Sequence, residues 1–142
     1  MIHLRDHYQT ALLTATSMGV RLTPRDGQPF HAATTLDLQV TSAETNVVSV
    51  SSYLGLPVKV LSKFVKDSPV ARLIRDNLAA RHIAVEGPEV DQGGPWGYRH
   101  QFNLADSGSG SRGPRVQNDR AGEVGRTLSV DDFDLERIDF VV

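Results

Sequence analysis

The N-terminal part of the sequence carries the hydrophobic pattern of β-strands rather than that of a helix. The stretch "ALLTATSMGVRLTP" (11–24) is β-prone and ends in the turn "PRDGQP". In "ATTLDLQV" (33–40), Leu36, Leu38 and Val40 alternate with polar residues and lie on one face of a strand. The pattern predicts an extended stretch, a turn and a second strand.

The segment "TSAETNVVSVSSYLGL" (41–56) is ambiguous between strand and helix. Its valines favour a strand by propensity, whereas Val47, Val50 and Leu54 lie at helical spacing. Gly55 then stands where a glycine commonly follows the end of a helix. We therefore predict a helix here.

The following residues predict the order strand, helix, strand. The apolar run "PVKVLSKFV" (57–65) has strand length, and "KDSPVARLIRDNLAARH" (66–82) contains the clearest helix of the chain. Ser68 is suited to cap this helix and Pro69 to occupy its first position. The predicted buried stripe comprises Val70, Leu73, Ile74 and Leu78. With the short strand "IAVEG" (83–87), this order is typical of an α/β sheet with crossover connections.

The composition changes in the second half, which we interpret as a separate structural unit. Nine of the twelve glycines fall between Gly87 and Gly125. In "YRHQFNLAD" (98–106), apolar and polar positions alternate as in a half-buried strand, and we expect it to form a long hairpin with 114–127. A helix is predicted from "SVDDFDLERI" (129–138), where a Ser and an Asp have the spacing of a capping box.

Composition and charge narrow the classes of function. With 142 residues and 39% hydrophobic content, the chain can bury the core of a single domain. A formal charge of −2 gives no global reason to expect nucleic acid or an anionic membrane as partner. The N-terminus "MIHLRDHYQT" lacks the features of a signal peptide, and no run approaches the ~20 apolar residues of a membrane span. We expect a cytoplasmic protein without a membrane partner.

The sequence contains no recognisable metal site, reactive thiol or nucleotide-binding loop. The chain has no cysteine, and its five histidines lack a recognisable ligand spacing, so we expect no structural metal. The string "GSGSRG" (108–113) matches the spacing G-x-G-x-x-G, but no helical pattern follows it. We interpret it as the flexible tip of a hairpin.

A surface for single-stranded nucleic acid is a weak alternative. Arginines and aromatic residues gather around the hairpin tip: Arg99, Arg112, Arg115, Arg120 and Arg126 with Tyr98 and Phe102. Acidic residues are interspersed among them, and the chain is not basic overall. We therefore predict no nucleic-acid partner.

Residues 41–87 contain an asparagine at the start of a predicted helix, a Leu-Gly pair at its end and an aspartate in a turn. This order resembles the opening signature of the ribokinase (PfkB) family of carbohydrate kinases, especially its 2-keto-3-deoxygluconate kinase-like branch. Asn46 takes the place of an asparagine at the start of a helix, "LG" at 54–55 matches a Leu-Gly pair, and Asp67 matches the aspartate of a turn. The sequence departs from the signature where "TS" (41–42) replaces a glycine pair, and where Val65 replaces a glycine of the turn.

A second string, "VQNDRAGEVGRTLSVDDFDLERI" (116–138), resembles the second lid strand of the keto-deoxygluconate kinases and the helix that follows. Arg120 falls on the arginine that ends this strand. In the family this residue faces the acid end of the sugar. A guanidinium matches a carboxylate with two parallel hydrogen bonds, which agrees with that role.

The resemblance implies a partial ribokinase-like α/β fold, a three-layer α/β/α core fragment with a small β-sheet lid. We expect a core portion at 1–86, a lid hairpin at 87–128 and a return helix at 129–142, with the chain ending before the nucleotide-binding half. The family uses ATP and Mg²⁺, with a catalytic aspartate in a Gly-Ala-Gly-Asp turn that this sequence lacks. The chain alone should bind no cofactor and be inactive; the implied partners are an acidic sugar and a second copy joined through the lid. The alternative is a non-catalytic dimerisation or sugar-binding module.

The resemblance implies three substrate-binding residues, each with a structural alternative. Asn46 would contact the sugar or cap a helix. Tyr98 would contact the sugar or pack within the lid. Arg120 would bind a carboxylate or lie solvated on an edge strand. Trp96 would pack at the lid base or stack on a sugar ring, packing being favoured.

Overall fold

The computed structural model describes residues 8–134, which form two larger sheets, a two-stranded ribbon and two α-helices. The elements in chain order are β1 (Leu12–Ala15), β2 (Gly19–Pro24), β3 (Leu36–Thr41), α1 (Ala43–Tyr53), β4 (Val58–Leu61), β5 (Phe64–Val65), α2 (Pro69–Ala80), β6 (Ala84–Glu86), β7 (Glu89–Val90), β8 (Gln101–Asp106) and β9 (Arg115–Asp119). Within this part of the chain, neither helix is long and apolar enough to cross a membrane.

The first sheet is parallel and has the strand order β1-β4-β6, which confirms the predicted α/β architecture. Leu12 pairs with Val58 and Thr14 with Val60, so these positions share one face. Both helices pack against that face, and the core between them comprises Met18, Val40, Val48, Val58, Val60, Phe64, Ala71, Ile74, Leu78 and Ile83. Over residues 8–134 the core therefore has one layer of helices packed on one sheet. The expected three-layer α/β/α core has helices on both faces of the sheet, and residues 8–134 supply them on one face only.

Helix α1 confirms the helix prediction but presents a different face to the core. Ser42 caps it, because its Oγ accepts a hydrogen bond from the Thr45 amide at 2.9 Å. The N-cap interpretation of Asn46 is therefore wrong: Asn46 lies one turn inside the helix and is exposed. The core side of α1 carries Thr45, Val48, Ser49 and Ser52, whereas Val47, Val50 and Leu54 face solvent. Gly55 follows the helix with φ +82°, as predicted.

Helix α2 forms as its sequence signals predict. Ser68 accepts a hydrogen bond from the Ala71 amide, and Pro69 occupies the first turn. Ile74 and Leu78 are fully buried, while Leu73 is more than a third exposed. Asp67 precedes the cap in a turn with φ +55°, which agrees with its predicted turn position.

The second sheet has the order β3-β2-β8-β9, in which two antiparallel hairpins are joined by parallel pairing of β2 with β8. Opposed residues across its four strands share a face. The side that we call the polar face carries the row Gln39, Arg21, Asn103 and Asn118. The opposite side, the apolar face, carries Leu38, Leu22, Leu104 and Gln117 in one row and Val40, Val20, Phe102 and Asp119 in the next.

This sheet corrects two strand predictions. The β-prone stretch 11–24 divides at Thr16–Met18 into β1 and β2, which belong to different sheets. The strand predicted at 98–106 begins only at Gln101, so Tyr98 lies outside it. Strands β2 and β3 belong to this sheet, although their residues lie within the predicted core portion, 1–86. The boundary between core portion and lid at residues 86–87 stays a prediction. Local propensity indicates strands but does not select their partners, which explains the differences.

The glycine-rich hairpin tip is held by side chains rather than shaped to bind phosphate. Asp106 accepts a hydrogen bond from the Gly108 amide at 2.9 Å and forms an ion pair with Arg112. Arg112 also donates to the Gly27 carbonyl at 3.2 Å, and no helix starts after Gly113. The segment thus contains a turn stabilised by Asp106, as expected for a hairpin tip.

The end of the described chain returns to the core through a short 3₁₀ turn, Val130–Asp132. Ser129 and Asp132 form the predicted capping box. Asp132 also binds Lys63 Nζ at 2.8 Å, which fixes this turn beside the end of β4. The remainder of the helix predicted from Ser129, including Ile138, lies outside the described residues.

Candidate functional site

A cluster of polar side chains lies where the two sheets meet. β1 ends at Ala15, and the next residues, Thr16 and Ser17, lead into the second sheet. In α/β proteins, ligands bind beyond the carboxyl ends of parallel strands. We call the side chains gathered at this point the junction cluster: Thr16, Ser17, Glu44, Arg120 and Glu123.

Arg120 forms a two-pronged ion pair with Glu123. Its Nε donates to Glu123 Oε2 at 2.6 Å, and its Nη2 donates to Oε1 at 3.2 Å. The Glu123 side chain is fully buried, whereas that of Arg120 is 48% exposed. The hydrogen bonds to Glu123 raise the pKa of Arg120 further above its ordinary value. One edge of the guanidinium is therefore held by the protein, and the outer edge faces away from that carboxylate.

Glu123 is fixed from both sides. The Ser17 hydroxyl donates to its Oε1, which ties the end of β1 to the segment after β9. Backbone hydrogen bonds tie the same segment to the residues before β8, because the Arg99 amide donates to the Gly122 carbonyl at 2.9 Å and the Val124 amide to the Arg99 carbonyl at 2.9 Å. Because Glu123 is buried and held in place, it also fixes the position of the Arg120 guanidinium.

Glu44 supplies a second carboxylate beside Arg120. It lies in the first turn of α1 and accepts a hydrogen bond from the Thr16 hydroxyl at 2.7 Å. This bond, together with smaller contributions that include the charge of Arg120, lowers the pKa of Glu44 below its ordinary value. The cluster contains two carboxylates and one guanidinium, so its formal charge with both acids ionised is −1.

The polar face of the second sheet extends from this cluster. Asn118 lies two residues before Arg120, and Asn103 donates to Asn118 Oδ1 at 2.5 Å. Arg21 lies opposite Asn103 across the β2–β8 pair. The row therefore places further groups that can donate to and accept from hydroxyls two residues from Arg120 along the chain.

The structure places the segment that contains Tyr98 beside the segment that contains Arg120. Tyr98 is 40% exposed and lies in the segment that runs beside 120–124, although no hydrogen bond joins its side chain to Arg120. Asn46 lies on α1, two residues after Glu44, so the two side chains extend from nearly opposite sides of the helix. Trp96 is 94% exposed, so its interpretation as a packing residue is wrong. The roles of Asn46, Tyr98 and Arg120 toward a ligand stay predictions.

Several residues of this surface were missed from the sequence. Glu123, Glu44 and Thr16 carried no recognised motif, and the best available signal was the i, i+3 spacing of Arg120 and Glu123. Arg21 was missed because its strand was not distinguished from β1. Sequence spacing alone does not show that residues more than 100 positions apart, such as Ser17 and Glu123, share a contact.

His100 is a structural residue at the base of the second sheet. Its side chain is buried, Nδ1 lies 3.3 Å from the Met18 carbonyl, and Nε2 accepts from the Val65 amide at 3.4 Å. Burial lowers its pKa below the ordinary value for histidine. These contacts require the neutral imidazole with its proton on Nδ1. For residues 8–134, no three histidine or acidic side chains group as a metal site would require.

Solved structures supply the comparison, because no protein-family profile and no curated protein matches the sequence. A PfkB family carbohydrate kinase from Listeria grayi superposes with a TM-score of 0.76 at 25% identity, over 89% of this chain and 38% of that one. A 2-dehydro-3-deoxygluconokinase from Thermotoga maritima gives a TM-score of 0.73 at 22% identity, over 90% of this chain and 37% of its own.

A third similar structure was solved with a nucleotide. It is a proposed ribokinase II from E. coli in complex with ATP and Mg²⁺, with a TM-score of 0.70 at 16% identity, over 89% of this chain and 39% of that one. This chain therefore has the fold of part of a PfkB, ribokinase-like carbohydrate kinase, and it spans about two fifths of the length of the structures it matches.

Proposed function

We propose that this chain is the sugar-binding and lid portion of a PfkB-family carbohydrate kinase whose substrate is an acidic sugar such as 2-keto-3-deoxygluconate. The observation that carries the proposal is the match to a PfkB kinase over 89% of the chain, combined with a polar cluster at the carboxyl end of β1. The similarity to a 2-dehydro-3-deoxygluconokinase supports the sugar acid as substrate.

The proposed ligands are the residues that face the junction. Arg120 contacts the sugar with the outer edge of its guanidinium, because Glu123 occupies the other edge. Glu44 is held ionised by Thr16 and is suited to accept a hydrogen bond from a sugar hydroxyl. The further proposed ligands are Asn46, on the exposed side of α1, and Tyr98, on the segment beside Gly122.

In the proposed complete kinase, ATP and Mg²⁺ would bind to residues outside 8–134. Between residues 8 and 134 the one glycine-rich string with nucleotide-loop spacing is the hairpin tip, whose Asp106 would oppose a phosphate. The described residues thus do not fit a nucleotide, and we derive no phosphoryl-transfer step for them. Phosphorylation would require a catalytic portion beyond this chain, which would act with it in the cytoplasm.

The apolar face suggests how two copies would associate. Leu38 is 60% exposed and lies in one row with Leu22 and Leu104, while Leu36 lies at its edge. An exposed apolar row on a sheet is suited to pack against another such row. We propose a homodimer through this face. It leaves the polar face free for the sugar.

Calorimetric titration of the chain with 2-keto-3-deoxygluconate tests the function. Binding of this acid and a loss of at least about tenfold in affinity in Arg120→Met are expected, since a charge-assisted hydrogen-bond donor is removed. Arg126→Met is the matched control, because Arg126 lies on the same segment outside the cluster. Dimerisation without any sugar binding would favour the alternative of a non-catalytic dimerisation module.

A further inference from the structure

The centre of the polar face holds two side chains whose hydrogen-bonding groups are unsatisfied. Arg21 and Asn103 are direct partners in the parallel pairing of β2 with β8. Both are half-buried, and both Arg21 Nε and Asn103 Oδ1 are shielded from solvent without a hydrogen-bond partner among the described residues. One atom is a donor and the other an acceptor, yet they do not bond to each other. Such groups are costly to leave unpaired, so this pair is suited to receive a ligand.

Arg21 and Arg120 differ in whether a nearby carboxylate balances their positive charge. Arg120 is matched by Glu123 in a two-pronged ion pair and lies in the field of Glu44. Arg21 has no ion pair to any residue from 8 to 134. A carboxylate that approached Arg120 alone would meet two protein carboxylates, whereas at Arg21 it would meet an uncompensated positive charge.

We infer that Arg21 and Asn103 select for the acid group of the substrate. Arg21 binds the carboxylate, and Asn103 Oδ1 accepts a hydrogen bond from a hydroxyl of the same sugar. Adjacent strands lie about 4.8 Å apart, which allows one sugar acid to span both side chains. Arg120 then binds the oxygens that acidic and neutral sugars share. This inference rests on the proposed sugar-binding function and adds to it the residues that discriminate acid from neutral sugar.

The experiment compares D-gluconate with D-glucose, which share the configuration of carbons 2 to 5 and differ at carbon 1, a carboxylate in open-chain gluconate and a hemiacetal in the glucose ring. Calorimetry on the full chain is expected to show that Arg21→Met weakens gluconate binding by about tenfold or more and leaves glucose binding unchanged. Asn103→Ala should weaken gluconate binding by several-fold. Arg120→Met should weaken both sugars to a similar extent. Arg115→Met is the matched control, because Arg115 is an exposed arginine on the opposite face of the same sheet.

Three results would overturn the inference. They are a gluconate loss in Arg21→Met no larger than that in Arg115→Met, an equal loss for glucose, or discrimination abolished by Arg120→Met alone. Circular dichroism of each variant confirms that it is folded before binding is compared.

A second measurement separates this inference from the proposed function. The ¹⁵N NMR signal of Arg21 Nε should shift on addition of gluconate but not of glucose, which detects binding too weak for calorimetry. If 2-keto-3-deoxygluconate does not bind by calorimetry, the sugar-kinase proposal fails, while a gluconate-specific shift at Arg21 would still support the pair as an acid site. Absence of that shift overturns the inference whatever the calorimetry shows.

Discussion

Replacing Glu123 with glutamine should destabilise the protein and loosen Arg120. Glutamine keeps the size of the side chain but removes the charge that binds Arg120 Nε at 2.6 Å and Nη2 at 3.2 Å. One of its two head atoms becomes a donor and faces another donor, either Arg120 or the Ser17 hydroxyl. The variant therefore leaves a fully buried polar group without a suitable partner.

The magnitude follows from the different exposure of the two partners. Breaking a fully buried ion pair costs about 3–5 kcal/mol, and an exposed pair contributes about 0.2–1 kcal/mol. Glu123 is fully buried but Arg120 is 48% exposed, so we expect a value between these limits, about 2 kcal/mol. For a chain of this length that corresponds to a decrease in Tm of about 6–8 °C.

Urea unfolding followed by circular dichroism measures this loss, with Asp119→Asn as the control. Asp119 pairs with Arg99 at 3.5 Å, and both side chains are about half exposed, so its replacement should cost less than about 0.5 kcal/mol. Equal costs for the two variants, or a stabilised Glu123→Gln protein, would refute the view that Glu123 fixes Arg120. Sugar affinity of Glu123→Gln should also decrease, because Arg120 loses its anchored geometry.

Three further results are expected. Because burial lowers the pKa of His100, the unfolded chain binds the proton more tightly, and the free energy of unfolding should fall as pH drops from about 6.5 to about 5.5, above the range in which the carboxyl groups titrate. In that range the slope should disappear in His100→Gln but persist in His31→Gln, measured by urea unfolding at several pH values. Ile74→Ala should cost about 2–5 kcal/mol, and Leu73→Ala less than about 1 kcal/mol, because only Ile74 is fully buried; similar losses in thermal unfolding would contradict this packing. Leu38→Lys should convert a dimer into a monomer in analytical ultracentrifugation, and an unchanged mass would place the contact elsewhere.

The sequence predicted the elements whose signals are local. Ser68 and Pro69 mark the start of α2, and Gly55 marks the end of α1, because capping and left-handed backbone depend on adjacent residues. The parallel arrangement of β4 and β6 followed from their alternation with helices. These are short-range rules, and the structure confirms them.

Features that depend on tertiary contacts were not predictable from the pattern. Val47 and Val50 have the spacing of a buried stripe, but α1 buries Thr45 and Ser49, which satisfy their hydroxyls within the helix and its cap. The break between β1 and β2 contains no glycine, proline, asparagine or aspartate that would mark a turn. The contact of Ser17 with Glu123 arises only when both sheets have formed.

The four-stranded sheet has a consequence for the order of folding. Each hairpin, β2 with β3 and β8 with β9, joins residues close in sequence, but the parallel pair that unites them joins Gly19 to Gln101, 82 positions apart. Closing so long a loop is slow relative to forming a hairpin. Arg21 is on one hairpin and Asn103 on the other, so their pairing is expected to be among the last contacts made during refolding. The acid-selective surface would then report on completed folding, and recovery of gluconate binding should lag behind recovery of helical structure.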